Sequence, residues 1–336
     1  MNITAVARKA RVSTATVSRV INGTAVVSPK TAERVRHAIK ALNFYPNTNA
    51  RALGSGRSSL YGLIISDITN PFFPELVKAF EDVAVQHGQE VLIGNTNYDS
   101  SRMEHCVSRM LQRKVDGVAI MTSEMDDNLI QAFSGRKIPL VFMDTGKIGP
   151  GISNLRVDYQ AGVSLAMEHL IQHNHRHIAF ISGPQRLPSA KNRFVAFTEA
   201  MQQHQLTVQP GMIQEANHRV EGGHEAMQRI FQSGLKPTAV LASNDLTAIG
   251  ALGAIVEHGL RVPEDISVVG FDDIQLSSYT QPPLTTLALP RVEMAEVAFR
   301  SLYGNRGKHA DELPQGQVYV FQPKLVIRKS TGPVLL

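Results

Sequence analysis

The chain of 336 residues contains one cysteine, no tryptophan and no apolar run approaching twenty residues. A lone Cys106 makes no internal disulfide, and with no second thiol beside it, it reads as a packed helix residue rather than a redox or metal group. No run reaches the ~20 apolar residues that span a bilayer, and the opening MNITAVARKA lacks the apolar core of a secretory signal, so a cytoplasmic protein without a membrane partner is expected. Also missing are a Walker phosphate loop, a nucleophile paired with a base and a metal triad, which argues against an enzyme and for no cofactor. Acid is scarcest near the start: from Met1 to Arg57 the single carboxylate is Glu33, against ten lysines and arginines. That segment therefore carries +9 of a chain total of +5, leaving −4 for the rest. Cationic charge crowded into the first sixth of a chain points to a polyanion partner.

The basic segment divides by periodicity into three short helices. Thr4 is placed to cap the first, with Val6, Ala7 and Ala10 on one face. Ser13 is placed to cap the second, with Val17, Val20 and Ile21 inward. Ser28 and Pro29 open the third, with Val35, Ala38, Ile39 and Leu42 inward. Three inward stripes make one small core. The second helix, within VSTATVSRVIN, is rich in β-branched and hydroxyl residues, which are poor helix formers. Its outward positions are Ala15, Ser18, Arg19 and Asn22, spaced i, i+3, i+4, i+7, with Thr14 just before them. Such a short-stemmed face approaches a DNA groove closely, with hydroxyls on phosphates and Arg19 reaching a base edge.

VSTATVSRVIN, the following VSPKTAERV and the later YPNTNARAL resemble the DNA-binding headpiece of the lac/galactose/purine repressor family of bacterial transcription regulators, and the likeness runs through the whole chain. It implies a DNA-contacting set of Thr4, Thr14, Ala15, Thr16, Ser18, Arg19, Asn22, Lys30, Asn47, Ala50, Arg51 and Leu53. Two positions depart from the family pattern: Ala5 stands where an acid is usual, and Arg11 stands in the turn where glycine is usual. A left-handed Arg11 costs about 1 kcal/mol. After Tyr45-Pro46, Asn47 can cap a helix from Thr48 to about Leu53, broken by Gly54-Ser55-Gly56. A helix so short is marginal alone. In the resembling family it is a hinge helix that pairs with a second copy in the minor groove, the leucine matching Leu53 wedging between base pairs. The GSG precedes a strand instead of following one, so it reads as linker and not as a phosphate loop.

From Leu60 the pattern changes to short apolar strands (YGLIIS, EVLIG, GVAIM, PLVFMD, HIAFISG, TAVLAS, ISVVGF) alternating with amphipathic helices, a parallel α/β grammar. The expected fold class is α/β: a small all-α helix-turn-helix headpiece (1–46), a hinge and linker (47–59), and two doubly wound parallel lobes of the periplasmic-binding-protein type (60–336). The first lobe takes about 60–158 plus 290–320, the second about 159–286 plus 321–336. Ligands in such folds sit at the carboxyl ends of strands. There the sequence puts DITNPFF, Asp144, Asn244-Asp245 and Asp272-Asp273, with Arg193 opening a helix. The family likeness implies effector contacts from Asn70, Phe72, Phe73, Asp144, Ser189, Arg193, His218, Asn244 and Asp272. His218 stands where an aromatic ring often stacks, and Leu289 where a glutamine is frequent. Lys191, Arg186 and Arg219 near Arg193 favour an anionic sugar derivative over a neutral hexose.

His169, His173, His175 and His177 imitate metal-ligand spacing. Yet His173 ends a helix, Asn174 suits the left-handed position after it and His177 begins a strand, so the rings are expected to diverge and hold no metal. The resulting expectation is a homodimeric, sequence-specific transcription regulator, a repressor, that reads a pseudo-palindromic double-stranded operator. A sugar or sugar acid bound between the lobes sets its operator affinity by changing hinge-helix spacing. A protein corepressor is the alternative within that class. A sugar-binding transport protein is the alternative outside it, disfavoured by the basic headpiece. The tail KSTGPVLL is too short for the coiled coil that tetramerises some relatives.

Overall fold

A computed structural model describes residues 2–23, 26–45, 57–122, 125–144, 146–305 and 313–334. The chain separates into two units, Met1–Ser59 and Leu60–Leu336.

In the first unit α1 (Ile3–Ala10) starts two residues earlier than Thr4 would allow. Asn2 is the cap: its backbone is extended (φ −126°) and its side chain accepts the Ala5 N–H at 3.1 Å, whereas Thr4 already lies inside the helix, exposed. A cap must stand outside the helix it closes, and Asn2 does. Arg11 ends the helix in the left-handed region (φ 53°, ψ 52°), with its N–H on the carbonyls of Ala7 and Arg8. Ser13 caps α2 (Thr14–Asn22) by accepting the Thr16 N–H at 3.1 Å. Ser28 and Pro29 open α3 (Pro29–Ala41), but the Ser28 hydroxyl turns to Thr31 Oγ1 instead of a backbone N–H. Val6, Ala7, Ala10, Val17, Val35 and Ala38 form the core, with Val20, Ile21, Ile39 and Leu42 packed at its margin. Asn47, Ala50, Arg51 and Leu53 of the expected hinge helix lie outside the described residues, as does the side chain of Asn22.

The second unit holds two six-stranded sheets. β1 (Leu60–Ile65), β2 (Glu90–Asn95), β3 (Gly117–Met121), β4 (Leu140–Met143), β5 (Ile152–Val157) and β11 (Val318–Phe321) are all parallel, in the order β11-β5-β4-β3-β1-β2. β6 (Ile178–Ser182), β7 (Ile213–Glu215), β8 (Ala239–Ala242), β9 (Ser267–Asp272), β10 (Thr285–Ala288) and β12 (Lys324–Val326) follow the order β12-β10-β9-β8-β6-β7, with only β12 antiparallel. In β3, β6, β8 and β9 every residue is buried, as a parallel sheet covered on both faces requires. The cover comes from α4 (Phe72–Gln86), α5 (Ser100–Gln112), α6 (Asp127–Ser134), α7 (Tyr159–Gln172), α8 (Pro188–Gln203), α9 (Val220–Gln232), α10 (Asp245–Glu257) and α11 (Arg291–Tyr303). Cys106 on α5 is buried facing Gly94, where an added Cβ would come within 2.9 Å of its sulfur, so the thiol is packing material.

The chain passes between the sheets three times: from β5 into α7, from β10 into α11, and from β11 into β12. After its crossing, α11 packs on α4 and touches β3, β4 and β5, so it belongs to the first lobe. One apolar core continues through both lobes, from Tyr61 and Phe80 to Phe180 and Phe197.

The histidines meet different partners, but they do not all diverge. His169 and His173, one turn apart on the same helix face, have ring centroids 4.5 Å apart. His169 Nε2 pairs with Thr331, His173 Nδ1 with the His169 carbonyl, and His175 with Thr238 and the Gly332 carbonyl, which ties the C-terminal segment down. Among the described residues no His, Cys, Asp and Glu group has the geometry to hold a metal ion, and no helix is long and apolar enough to cross a membrane.

Candidate functional site

On α2 the core-facing Val17 is fully buried, which turns Thr14, Ala15 and Arg19 to solvent. Ser18 is half-buried beside them, and the Thr16 hydroxyl is held at 3.0 Å by the Ser13 cap. Arg19 is thus the one long cation on a face of short side chains. Lys30 is exposed in the first turn of α3.

The second site lies where the two sheets point their carboxyl ends at each other. A narrow cleft, open at its mouth, is lined by eight of the nine residues expected to contact an effector: Asn70, Phe72, Phe73, Ser189, Arg193, His218, Asn244 and Asp272. Asp144 is the exception, because it sits behind the wall and accepts the Tyr159 hydroxyl at 2.5 Å and the Val157 N–H at 2.9 Å. It positions Tyr159, which does line the cavity. Ser66, Tyr98, Met121, Thr122, Met143, Leu187 and Leu289 complete the wall. Apart from Leu289, these were missed from sequence. Ser66, Met121, Thr122 and Met143 sit at strand ends, a signal that strand position alone carried, but their types announce no chemistry.

Local folding explains the polar side chains. Asn70 accepts the Phe72 N–H at 3.1 Å and so starts α4, while Asn244 caps α10 by accepting the Thr247 N–H and donates to the His218 carbonyl at 3.0 Å. Arg193 lies in the second turn of α8, not at its start, with its guanidinium 4.3 Å from the Phe271 ring centroid and 5.0 Å from that of Tyr159. One amino group donates to the Ser243 carbonyl at 2.9 Å and the other stands 3.5 Å from Asp272 Oδ1. Its Nε has no protein partner, nor has His218 Nε2, although both are buried. The Nε2 edge of the His218 ring closes on Gly183, where a Cβ would fall 1.8 Å from Nε2, so only glycine fits there. His218, Asp272 and Asp273 all take positive φ (63°, 107° and 53°), a conformation that side chains resist. Asp273 turns away to Arg328 at 2.6 Å, and the buried Asp245 fixes the turn from below by accepting the Ile274 N–H at 2.8 Å.

Burial, helped by the neighbouring Arg193 charge, pushes His218 down to about 3, so its imidazole is neutral. Burial pushes Asp272 up to about 6 against the pull of Arg193 and Arg291. Burial raises Asp144 as well, opposed by the Tyr159 hydroxyl, the Val157 N–H and Arg193. The expected surplus of positive charge does not gather here. Lys191 and Arg186 are exposed, Arg186 standing 6.0 Å from the Tyr98 ring centroid. Arg219 spans the mouth from the second lobe to the first, donating to Asp67 Oδ2 at 3.0 Å and Asn97 Oδ1 at 3.2 Å. Burial raises the Asp67 carboxyl, but the Thr69 hydroxyl and N–H and the Arg219 guanidinium outweigh it and hold it below the ordinary value. The lining charges are therefore Arg193 and Asp272, one of each sign.

Residues 2–47 match the model of the bacterial regulatory proteins of the lacI family, and residues 167–331 match that of a periplasmic binding protein-like domain. The HTH-type transcriptional repressor PurR of Glaesserella parasuis serovar 5 (strain SH0165) is 35% identical over 329 residues, 97% of this chain and 96% of that one. The chain belongs to the lacI family. It is a DNA-binding transcriptional repressor with an effector-binding domain, not an enzyme. Among solved structures, the lac repressor dimer bound to operator and the anti-inducer ONPF superposes with a TM-score of 0.87 at 31% identity, covering 99% of both chains. The transcriptional regulator CelR in complex with cellobiose superposes with a TM-score of 0.74 at 28% identity, covering 98% of this chain and 99% of that one. Against this background the repressor's departures are local: Arg11 accepts the left-handed turn in place of glycine, and Leu289, 6% exposed, adds apolar surface to the cleft.

Proposed function

We propose that the repressor binds its operator as a homodimer, as the lac repressor does in its complex, and that its effector is a neutral, monosaccharide-sized polyol with one C–H-rich face. Residues 1–46 act as the headpiece, 47–59 as the hinge and 60–336 as the two-lobed effector domain. One observation carries the effector reading: the charge-balanced Arg193–Asp272 pair carries a buried Nε without a partner, beside an equally unpartnered His218 Nε2, in a cavity walled by both polar and apolar side chains. Buried polar atoms normally have partners, and a ligand hydroxyl that accepts from Arg193 and donates to Asp272 supplies one. Ser189 and Asn244 extend that polar side. Phe72, Phe73, Met121, Met143 and Leu289 oppose it with surface that packs on C–H groups and offers no hydrogen bond. Because Arg193 is already neutralised by Asp272, a sugar acid would bring uncompensated charge, which is why the neutral form is preferred.

On DNA, Arg19 reads a base edge, Thr14, Ala15, Thr16, Ser18 and Asn22 bring α2 close to the groove, and Thr4 and Lys30 hold phosphates; Asn47, Ala50, Arg51 and Leu53 form the hinge contacts. An operator is obtained by selecting from a random duplex pool, with a pseudo-palindrome as the expected product. Thermal-shift screening of neutral sugars, sugar acids and planar heterocycles then tests the cleft, since ligand at a hundred times its dissociation constant adds about 2.7 kcal/mol. Neutral sugars are expected to stabilise the protein and to change operator retention in a gel shift, and Asp272→Ala and Arg193→Ala are expected to abolish both effects. Stabilisation by acids or heterocycles alone would overturn the polyol reading. A response that survives both substitutions would place the effector elsewhere.

A further inference from the structure

The turn that presents Asp272 to the cavity is held by a guanidinium that also grips the other lobe. Arg291 is the first residue of α11, just past the crossing from β10, and its side chain is 10% exposed. Its Nη1 donates to the Asp272 carbonyl and its Nη2 to the Asp273 carbonyl at 2.8 Å. The same group bonds Glu75 Oε2 on α4, from Nε at 2.9 Å and Nη2 at 2.8 Å, and lies 5.9 Å from the ring centroid of Phe72, a cavity residue at the start of that helix. One planar fork thus ties two carbonyls of a positive-φ turn in the second lobe to a carboxylate in the first. A lysine has no such fork and cannot reproduce three fixed acceptors at once.

We propose that Arg291 is a positioning residue that couples the Asp272–Asp273 turn to α4 through Glu75, so that occupancy of the cleft is transmitted between the lobes. The functional half of this statement rests on the cleft being the effector site; the mechanical half does not. Ligand contact at Asp272 shifts or steadies the turn, and the two carbonyls carry that to the guanidinium. Glu75 then moves with it, taking along the helix whose first turn bears Phe72 and Phe73. Coupling requires an element whose arrangement both ends bias, and Arg291 stands at one of the three crossings that join the lobes. Asp245 and Arg328 also hold the turn, but from within the second lobe. Among the described residues, Glu75 is the only first-lobe group that the Arg291 guanidinium hydrogen-bonds.

Hydrogen exchange on the full-length protein without added ligand tests the mechanical half. Glu75→Gln is expected to speed exchange at least threefold at the amides of Asp273 and Ile274 in the opposite lobe. The same substitution in an Arg291→Gln background is expected to add nothing, and Arg291→Lys is expected to behave like Arg291→Gln. Glu75 is half exposed, so its variant folds even where Arg291→Gln is destabilised. Unchanged exchange at the turn in Glu75→Gln, or effects that add, would overturn the coupling. The functional half uses D-glucose, D-galactose and D-ribose as probes. For a sugar that stabilises the unaltered protein, Glu75→Gln is expected to keep the binding constant within twofold while cutting the ratio of operator affinities with and without sugar at least fivefold. An unchanged ratio would overturn transmission through Arg291. If none of the three sugars stabilises the protein, the polyol reading of the cleft falls, and the exchange measurement decides the mechanical coupling on its own.

Discussion

Asp272 is the residue on which cleft chemistry and pH meet. Burial raises its carboxyl from the ordinary carboxylate value of 3.8 to about 6. In the unfolded chain the group ionises first, so stability declines as pH climbs from about 4 through 6 and the full burden is present above that. Binding runs the other way. A hydroxyl donates more strongly to a carboxylate than to a carboxylic acid, so effector affinity is expected to rise through pH 6 and to be about tenfold weaker at pH 5 than at 7.5. Calorimetric titration across that range checks it, and Asp272→Asn is expected to flatten the profile. A wild-type profile flat from pH 5 to 7.5 would show that Asp272 does not meet the ligand as a carboxylate. His218, already neutral throughout this range, does not contribute to the slope. Asn70, Asn244 and Asp272 were legible in sequence because carboxylates and amides at strand ends announce a site, whereas Ser189 and His218 came only through the family likeness. Asp144 was misplaced for the same reason: its type fits a ligand contact, but Tyr159, 15 residues on, occupies the space in front of it. That long-range contact leaves no mark in local pattern.

At the scale of elements, the strongly periodic segments were readable and the weakly patterned ones were not. The long apolar strands and the three headpiece helices follow from their spacing. β5 and β7 escaped, since ISNLRV carries Asn154 and Arg156 and IQE is three residues long, so neither shows a buried run. Their place comes from neighbours, β5 between β4 and β11 and β7 on the edge beside β6. In the headpiece the helix starts depended on which of two good caps had extended backbone, which is why Asn2 displaced Thr4. α2 itself exchanges helix propensity for a short-stemmed outer face, and that exchange has a measurable signature. Arg19→Ala is expected to cost about 1–3 kcal/mol on the selected operator and to relax preference at one base per half-site, whereas Lys30→Ala is expected to weaken every sequence alike. Fluorescence anisotropy on operator and random duplexes separates the two. Equal losses on both duplexes for both variants would remove Arg19 from base readout.

Over the whole molecule the charge is segregated, +9 in the first 57 residues and −4 in the remainder. In the effector unit the four arginines around the cleft are tied to acceptors: Arg193 to Asp272, Arg219 to Asp67 and Asn97 across the cleft mouth, Arg291 to Glu75 and Arg328 to Asp273. The Arg219 bridge is 44% exposed on its arginine side, so screening limits it to about 1 kcal/mol or less; it steadies the mouth more than the fold. On the charge pattern, phosphate neutralisation is expected from the first unit, each contact releasing counterions from DNA. A dimer engaging roughly six to ten phosphates is expected to lose about 10³–10⁵ in operator affinity between 50 and 200 mM salt. Lys30→Ala is expected to make the slope of log affinity against log salt shallower by about one per protomer, or about two for the dimer. Lys191→Ala and Arg219→Ala are expected to leave that slope unchanged even where Arg219→Ala alters affinity through the cleft mouth. Titrations of all four proteins at several salt concentrations give the comparison directly. A loss of slope in Lys191→Ala equal to that in Lys30→Ala would put phosphate contacts on the effector unit and break the division of labour that the charge pattern implies.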